Sequence, residues 1–227
     1  MSAPPFRLSA WFRDRSLTLT MLGLFAVCAV GQLLAGWFDV NETAASHGQP
    51  AIELATYVMR GHLWEALFEN WESEFLQMSA FVVLSAYLYQ VGSPESRRPG
   101  AHELVDADPR AFADQPDVPW AVRRGGWVLH LYEYSLGGAL FLLFVVSFIG
   151  HVLGGWAEQS AEQRLHGQPA GALLDYATSS RFWFESLQNW QSEFLSVGAM
   201  VWLAVYLRQR GSPESKPVHA PHAETGR

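Results

Sequence analysis

Four apolar stretches separated by polar segments set the pattern of this 227-residue chain. Ser16–Phe38 contains no Asp, Glu, Lys or Arg, and neither does Tyr134–Ala157, which carries LFLLFVVSFI at its centre. At about 1.5 Å per residue each is long enough to cross a hydrocarbon core of about 30 Å. Two further runs are shorter, 17 residues at Phe75–Val91 and 14 at Phe194–Leu207. Fourteen apolar residues cannot span alone. Either that segment is a buried soluble helix, or the helix begins earlier and carries polar residues into the membrane.

An internal duplication decides between these. Shifted by 119 residues, Ser16–Ser96 aligns without a gap on Ser135–Ser215, with about 34 identities in 81 positions. His47-Gly48-Gln49-Pro50 matches His166-Gly167-Gln168-Pro169, and Asn70-Trp71-Glu72-Ser73-Glu74-Phe75-Leu76 matches Asn189-Trp190-Gln191-Ser192-Glu193-Phe194-Leu195. Gly92-Ser93-Pro94-Glu95-Ser96 matches Gly211-Ser212-Pro213-Glu214-Ser215. Chance does not produce such agreement. Each unit then has a long apolar helix, a polar loop and a second helix. Two crossings return the chain to its starting side, so the units run parallel about a pseudo-two-fold axis along the membrane normal.

The expected fold is therefore an all-α membrane protein with four transmembrane helices in two tandem two-helix repeats. Residues 1–15 form an N-terminal segment. Repeat 1 covers 16–91, with helices at about 16–46 and 62–91. An irregular linker covers 92–126. Repeat 2 covers 127–210, with helices at about 127–165 and 181–210, and a loose tail follows at 211–227. Gly92 and Gly211, each with Pro two residues later, mark helix ends. Arg13 and Arg15 before an apolar run imitate a secretory signal peptide. The same apolar element recurs internally, where no signal peptidase reads it, which favours a retained helix.

Charge sets the orientation. Arg7, Arg13 and Arg15 precede the first helix. Arg97, Arg98, Arg110, Arg123 and Arg124 lie in the linker, and Arg208, Arg210, Lys216 and Arg227 follow the last helix. Only Arg60, Arg164 and Arg181 remain for the two intra-repeat loops. By the positive-inside rule both termini and the linker are cytoplasmic.

Composition narrows the function classes. Charged residues are 16% of the chain, below the usual share of about 25%. A net charge of −7 argues against a nucleic-acid binder, which needs a basic surface. The single cysteine, Cys28, excludes an intrachain disulfide framework and a Cys-rich metal site. No HExxH, G-x-S-x-G or Walker pattern occurs. Haem in a bundle needs ligands from facing helices. His130 and His151 share the third helix, and the second and fourth offer only His62 near an outer end. No cofactor, catalytic residue or small-molecule substrate is assigned, and a metal is left open. His130 and Glu133 read as interfacial.

Three groups of positions are candidates for chemistry or packing. Asn70, Ser73 and Glu74 share a helix face, as do Asn189, Ser192 and Glu193. Placing Tyr87 and Tyr206 at the cytoplasmic interface puts both glutamates about 20 Å deeper, within the outer half of the membrane. On one reading they lie at headgroup level or hold the second helix against the fourth. On another they form an ion, proton or small-ligand site, and on a third a catalytic one. His47, Gln49, His166 and Gln168 form an outer-loop candidate, against a plain turn. Gly31 and Ala35, matched by Gly150 and Gly154, allow close helix approach, either between the first and third helices or in a homo-oligomer. Trp64, Trp71, Trp183 and Trp190 read as interfacial anchors.

On its two N-W-[EQ]-S-E-F-L copies, two H-G-Q-P turns and two G-S-P-E-S ends, the chain resembles a family of bacterial multi-pass membrane proteins classified only as a domain of unknown function. The resemblance covers the chain from about Arg13 to the tail. It implies a bacterial inner-membrane protein with the bilayer as partner, and it supplies no activity or functional residue. The leading expectation is a non-enzymatic structural or envelope-associated protein. The alternative is a small oligomeric transporter or channel component using Glu74 and Glu193, and a membrane enzyme is third.

The topology is testable with reporter fusions. A fusion at the C-terminus should report inside, and fusions near Ala44 and Glu162 outside. An outside signal at the C-terminus would remove the parallel-repeat arrangement.

Overall fold

The computed structural model describes residues 7–98 and 100–226. Residues 1–6, 99 and 227, which belong to the expected N-terminal segment, linker and tail, lie outside the described residues. Among the described residues the chain is helical and without strands. It divides into two units, Met1–Leu63 and Trp64–Arg227.

The first unit contains α1 (Arg7–Asp14), α2 (Ser16–Ser46), α3 (Leu54–Val58) and the first turn of α4 (Gly61–Leu84). The second contains the rest of α4, then α5 (Trp120–Arg124), α6 (Gly126–Glu133), α7 (Ser135–Leu165), α8 (Leu173–Ala177) and α9 (Ser180–Tyr206). Two short 3₁₀ turns, Leu104–Asp106 and Pro109–Phe112, interrupt the linker.

Two helices, α2 and α7, are long and apolar enough to cross a membrane. None of the apolar window of α2 and only 11% of that of α7 is buried, whereas a soluble core helix would be mostly covered. At 24 and 27 residues, α4 and α9 are about 36 and 40 Å long. Their acidic residues, Glu65, Glu69, Glu72 and Glu74 on α4 and Glu185 and Glu193 on α9, interrupt the apolar pattern.

Helices 119 residues apart correspond: α1 with α6, α2 with α7, α3 with α8. The chain leaves helical geometry at Arg15 and again at Tyr134, the matched position. The expected helix at 127–165 is thus two helices. At the break, Ser135 Oγ donates to the Tyr132 carbonyl at 2.8 Å, a local bond that competes with the helical ladder.

Matched turns close in matched ways. Gly48 and Gly167 have φ of 68° and 70°. In the first turn the Gly48 and Gln49 amides donate to the Ala45 and Ala44 carbonyls, and in the second those of Gly167 and Gln168 donate to Arg164 and Gln163. Both are Schellman caps, which explain why glycine stands in each H-G-Q-P turn. At the other ends α4 stops at Leu84 and α9 at Tyr206, short of the expected 91 and 210. Ser96 Oγ accepts from the Gln90 amide at 2.8 Å, and Ser215 Oγ from the Gln209 amide at 2.9 Å. Each serine thus takes a donor that a longer helix would have used.

The chain end, which composition alone marks as loose, folds over the segment after α4. Thr225 Oγ1 accepts from the Gly92 amide at 2.9 Å, and the Gly226 amide donates to the Ser93 carbonyl at 3.1 Å. Lys216 is 2% exposed, and its Nζ donates to the carbonyls of Pro221, His222 and Glu224. Burial pulls its ammonium below the usual lysine range.

A glycine opposite a tyrosine is the tightest shared feature of the two units. A Cβ at Gly36 would lie 2.1 Å from Tyr57 Oη, and one at Gly155 would lie 1.9 Å from Tyr176 Oη. Both tyrosines are 1% exposed. Gly155→Ala should therefore destabilise the fold by about 1–3 kcal/mol through overpacking. Gly138→Ala, with open space at its Cβ, should be neutral or slightly stabilising. Thermal unfolding of the two variants side by side checks this.

Candidate functional site

Within the second unit, three acidic residues of α4 fall on one stripe. Glu65, Glu69 and Glu72 are spaced i, i+4 and i+7. On α9, Arg181, Glu185 and Asn189 repeat every four residues. α7 contributes His151 and three glycines. A Cβ at Gly150 would strike the Phe68 ring at 2.5 Å, and one at Gly154 the backbone of Glu65 at 2.6 Å. Only hydrogen at those positions lets α4 approach so closely. The loop that carries Tyr176 is tied back to α7, where Trp156 Nε1 donates to the Gly171 carbonyl at 2.9 Å and Gln163 Oε1 accepts from the Gly171 amide at 2.9 Å. Ser179 caps α9 by accepting from the Phe182 amide at 3.2 Å.

The side chains converge in two connected groups. In the first, Tyr176 Oη donates to Glu65 Oε1 at 3.1 Å, with Glu185 Oε2 at 3.3 Å. Arg181 reaches Glu185 Oε1 through Nε at 2.9 Å, Glu65 through Nη2 at 3.5 Å and Glu162 through Nη1 at 3.5 Å. Burial and the adjacent Glu65 and Glu185 carboxylates push the Tyr176 phenol above its ordinary range.

The second group surrounds His151, which is fully buried, as is Glu72. His151 Nδ1 lies 3.1 Å from Glu72 Oε2, and Nε2 lies 3.8 Å from Glu185 Oε2. Neither ring nitrogen, nor Glu72 Oε2, meets hydrogen-bond geometry. Glu72 Oε1 accepts from Trp190 Nε1 at 3.1 Å, and Asn189 Nδ2 donates to Glu69 Oε1. The imidazole lies against Phe182 with ring centroids 4.8 Å apart, and Phe182 in turn meets Phe148 and Tyr176. Aromatic rings thus shield the imidazole, and with Glu72 also fully buried the charge interaction between the two is strengthened. Among the described residues no group of three or more His, Cys, Asp and Glu side chains is placed to hold a metal ion.

The positions singled out from sequence meet only in part. Asn189 and Trp190 of the second N-W-[EQ]-S-E-F-L copy engage Glu69 and Glu72 of α4. Asn70 Nδ2 turns back to the Ala66 carbonyl, and Ser73 and Ser192 donate to the carbonyls of Asn70 and Asn189 in their own helices. Glu74 is exposed and Glu193 half-buried, and Glu193 feels the charge of Glu74. Gly150 and Gly154 pack on α4, while Gly31 faces open space. His47 Nδ1 lies 2.8 Å from the Thr43 carbonyl in its own helix. His47, His166, Gln49 and Gln168 are all exposed at the caps described above.

His151, Glu72, Glu185, Glu65, Arg181 and Tyr176 were not among the sequence candidates. Two signals pointed to them. One histidine sits midway along a run otherwise free of charge, where an ionisable group is costly. Three glutamates also share one stripe of α4. The duplication does not mark them, because the positions matching Glu72 and His151 are Gln191 and Gln32.

A family model described as Domain of unknown function (DUF6766) matches residues 8–227. No curated protein matches the chain. No solved structure matches it either.

Tyr176 should remain protonated when exposed tyrosines ionise near pH 10. Because its folded-state value is raised, its contribution to stability is complete below the ordinary phenol range and is lost as pH rises through the folded value. Tyr176→Phe leaves Glu65 one donor short and should cost about 1–3 kcal/mol. Ultraviolet tyrosinate titration, with thermal unfolding of the variant, measures both effects.

Proposed function

The chain belongs to this family of unknown function, and from that premise we propose a non-enzymatic, multi-pass protein of the bacterial inner membrane. In this reading α2, α4, α7 and α9 each cross the bilayer as two parallel repeats with both termini cytoplasmic, and the role is structural or envelope-associated. One observation carries it. Four of the acidic side chains of α4 and α9, Glu65, Glu69, Glu72 and Glu185, turn toward polar groups on the neighbouring helices, as in Arg181 with Glu65 and Glu185, Trp190 with Glu72 and Asn189 with Glu69. Such pairing is what lets acidic helices reside in a membrane. It also joins three helices in a way that apolar contacts in lipid would not.

A second reading rests on Glu74 and Glu193. They interact electrostatically, and neither carboxylate makes a hydrogen bond or ion pair among the described residues. That arrangement suits a small oligomeric transporter or channel component.

Single cysteines placed along α9 in a Cys28→Ser background test the crossing. Thiol labelling by a membrane-impermeant reagent should be low from Phe184 through Phe194, with helical periodicity. Uniform labelling would mean that α9 does not span. In the same preparation, Glu74→Gln with Glu193→Gln should leave the thermal stability profile unchanged across pH and added cations. A response confined to the wild type would favour the conduit.

A further inference from the structure

We propose that Glu72, His151 and Glu185 form a proton-binding site midway along α7. His151 is residue 17 of the 31 in this apolar helix, and its ring is held between carboxylates from two other helices. On one side is Glu72, fully buried, at 3.1 Å from Nδ1. On the other is Glu185, 22% exposed, at 3.8 Å from Nε2.

The charges around the ring require a proton. From α4 the imidazole is faced by Glu72 and Glu69, and from α9 by Glu185. Glu65 of α4 and Tyr176 of α8 lie just beyond, linked through Glu185. The fixed cation of the cluster is Arg181, already engaged with Glu65, Glu185 and Glu162. Of the four carboxylates Glu65, Glu69, Glu72 and Glu185, that guanidinium pairs with Glu65 and Glu185, and Glu69 and Glu72 are left to Asn189, Trp190 and the imidazole. An uncompensated charge at a fully buried position is strongly disfavoured. Protonation of the His151–Glu72 pair removes that cost.

The unpartnered atoms mark where the proton resides. Both His151 nitrogens and Glu72 Oε2 are buried without a hydrogen bond, although Nδ1 and Oε2 already stand at bonding distance. Buried polar atoms are seldom left so. A small change in ring orientation suffices for a proton to sit between them. No trio among the described residues is placed for a metal ion, and a proton needs no cavity. Loading adds one proton and one positive charge to the group, and unloading removes both, with no other bond made or broken. Glu185, the more exposed carboxylate, marks the side on which exchange with water takes place.

The inference rests on the proposed membrane setting and is testable apart from it. Purified protein in lipid is titrated between about pH 5 and 9, the range of a histidine switch, and followed by infrared difference spectroscopy. The wild type should show a reversible imidazole-to-imidazolium band from a ring shielded from water. Glu72→Gln should lose that band, and Glu74→Gln should retain it. Absence of the band in wild type, or its persistence in Glu72→Gln, overturns the proposal. So does a band that moves with sodium or potassium at fixed pH. Should Glu72→Gln fail to fold, nitrogen-15 spectra of the eight histidines in the wild type decide. One water-shielded imidazole that changes protonation supports the site, and eight freely exposed titrations overturn it. A spectrum indifferent to pH leaves the crossing of α9 standing. Uniform cysteine labelling of α9 leaves a positive infrared result standing.

Discussion

How closely α7 can approach its neighbours governs the second unit. Gly150, Gly154 and Gly155 present bare backbone where any side chain would collide with Phe68, Glu65 and Tyr176. Because the approach is that close, the acidic stripe of α4 comes within reach of His151 and of the polar face of α9. Widening it by one methyl group would separate His151 from Glu72, both fully buried, and burying an unpaired charge is costly. The same glycines carry little apolar area, so the contact is close packing rather than hydrophobic burial.

Around that contact the polar groups are unevenly satisfied. Arg181 and Tyr176 tie Glu65 and Glu185 into an ordinary charge-assisted network near the start of α9. Two turns further along α4, Glu72 keeps one oxygen bonded to Trp190 and leaves the other facing an imidazole with no aligned bond. The first arrangement fixes geometry. The second leaves buried polar atoms without an aligned partner, and the two share Glu185.

The duplicated units differ in this respect. Gly36 with Tyr57 and Gly155 with Tyr176 keep the same close contact, and Trp37 and Trp156 make the same bond to the following loop at 2.8 and 2.9 Å. At the position of Arg181, however, the first copy has His62, whose Nδ1 lies 3.0 Å from Tyr57 Oη. At the position of His151 it has Gln32. The cluster thus joins Glu65, Glu69 and Glu72 of the first copy to His151, Arg181 and Glu185 of the second, and neither copy holds the whole of it.

The order of helices was legible from sequence because apolar runs and duplicated motifs are local properties. The bodies of Ser16–Ser46 and Ser135–Leu165 follow from uninterrupted apolar stretches, but the break at Tyr134 does not. The H-G-Q-P caps follow from a glycine that a left-handed residue requires and a proline that cannot continue a helix. The correspondence of α1 with α6 was not legible, since those segments share backbone geometry without sharing residues. The site was not legible either. Duplication favoured Glu74 and Glu193, which match, over Glu72 and Glu185, which do not. Which carboxylate faces a histidine depends on the rotation and separation of three helices. That is set by where Gly150, Gly154 and Gly155 allow contact, a property of packed surfaces that no single segment contains.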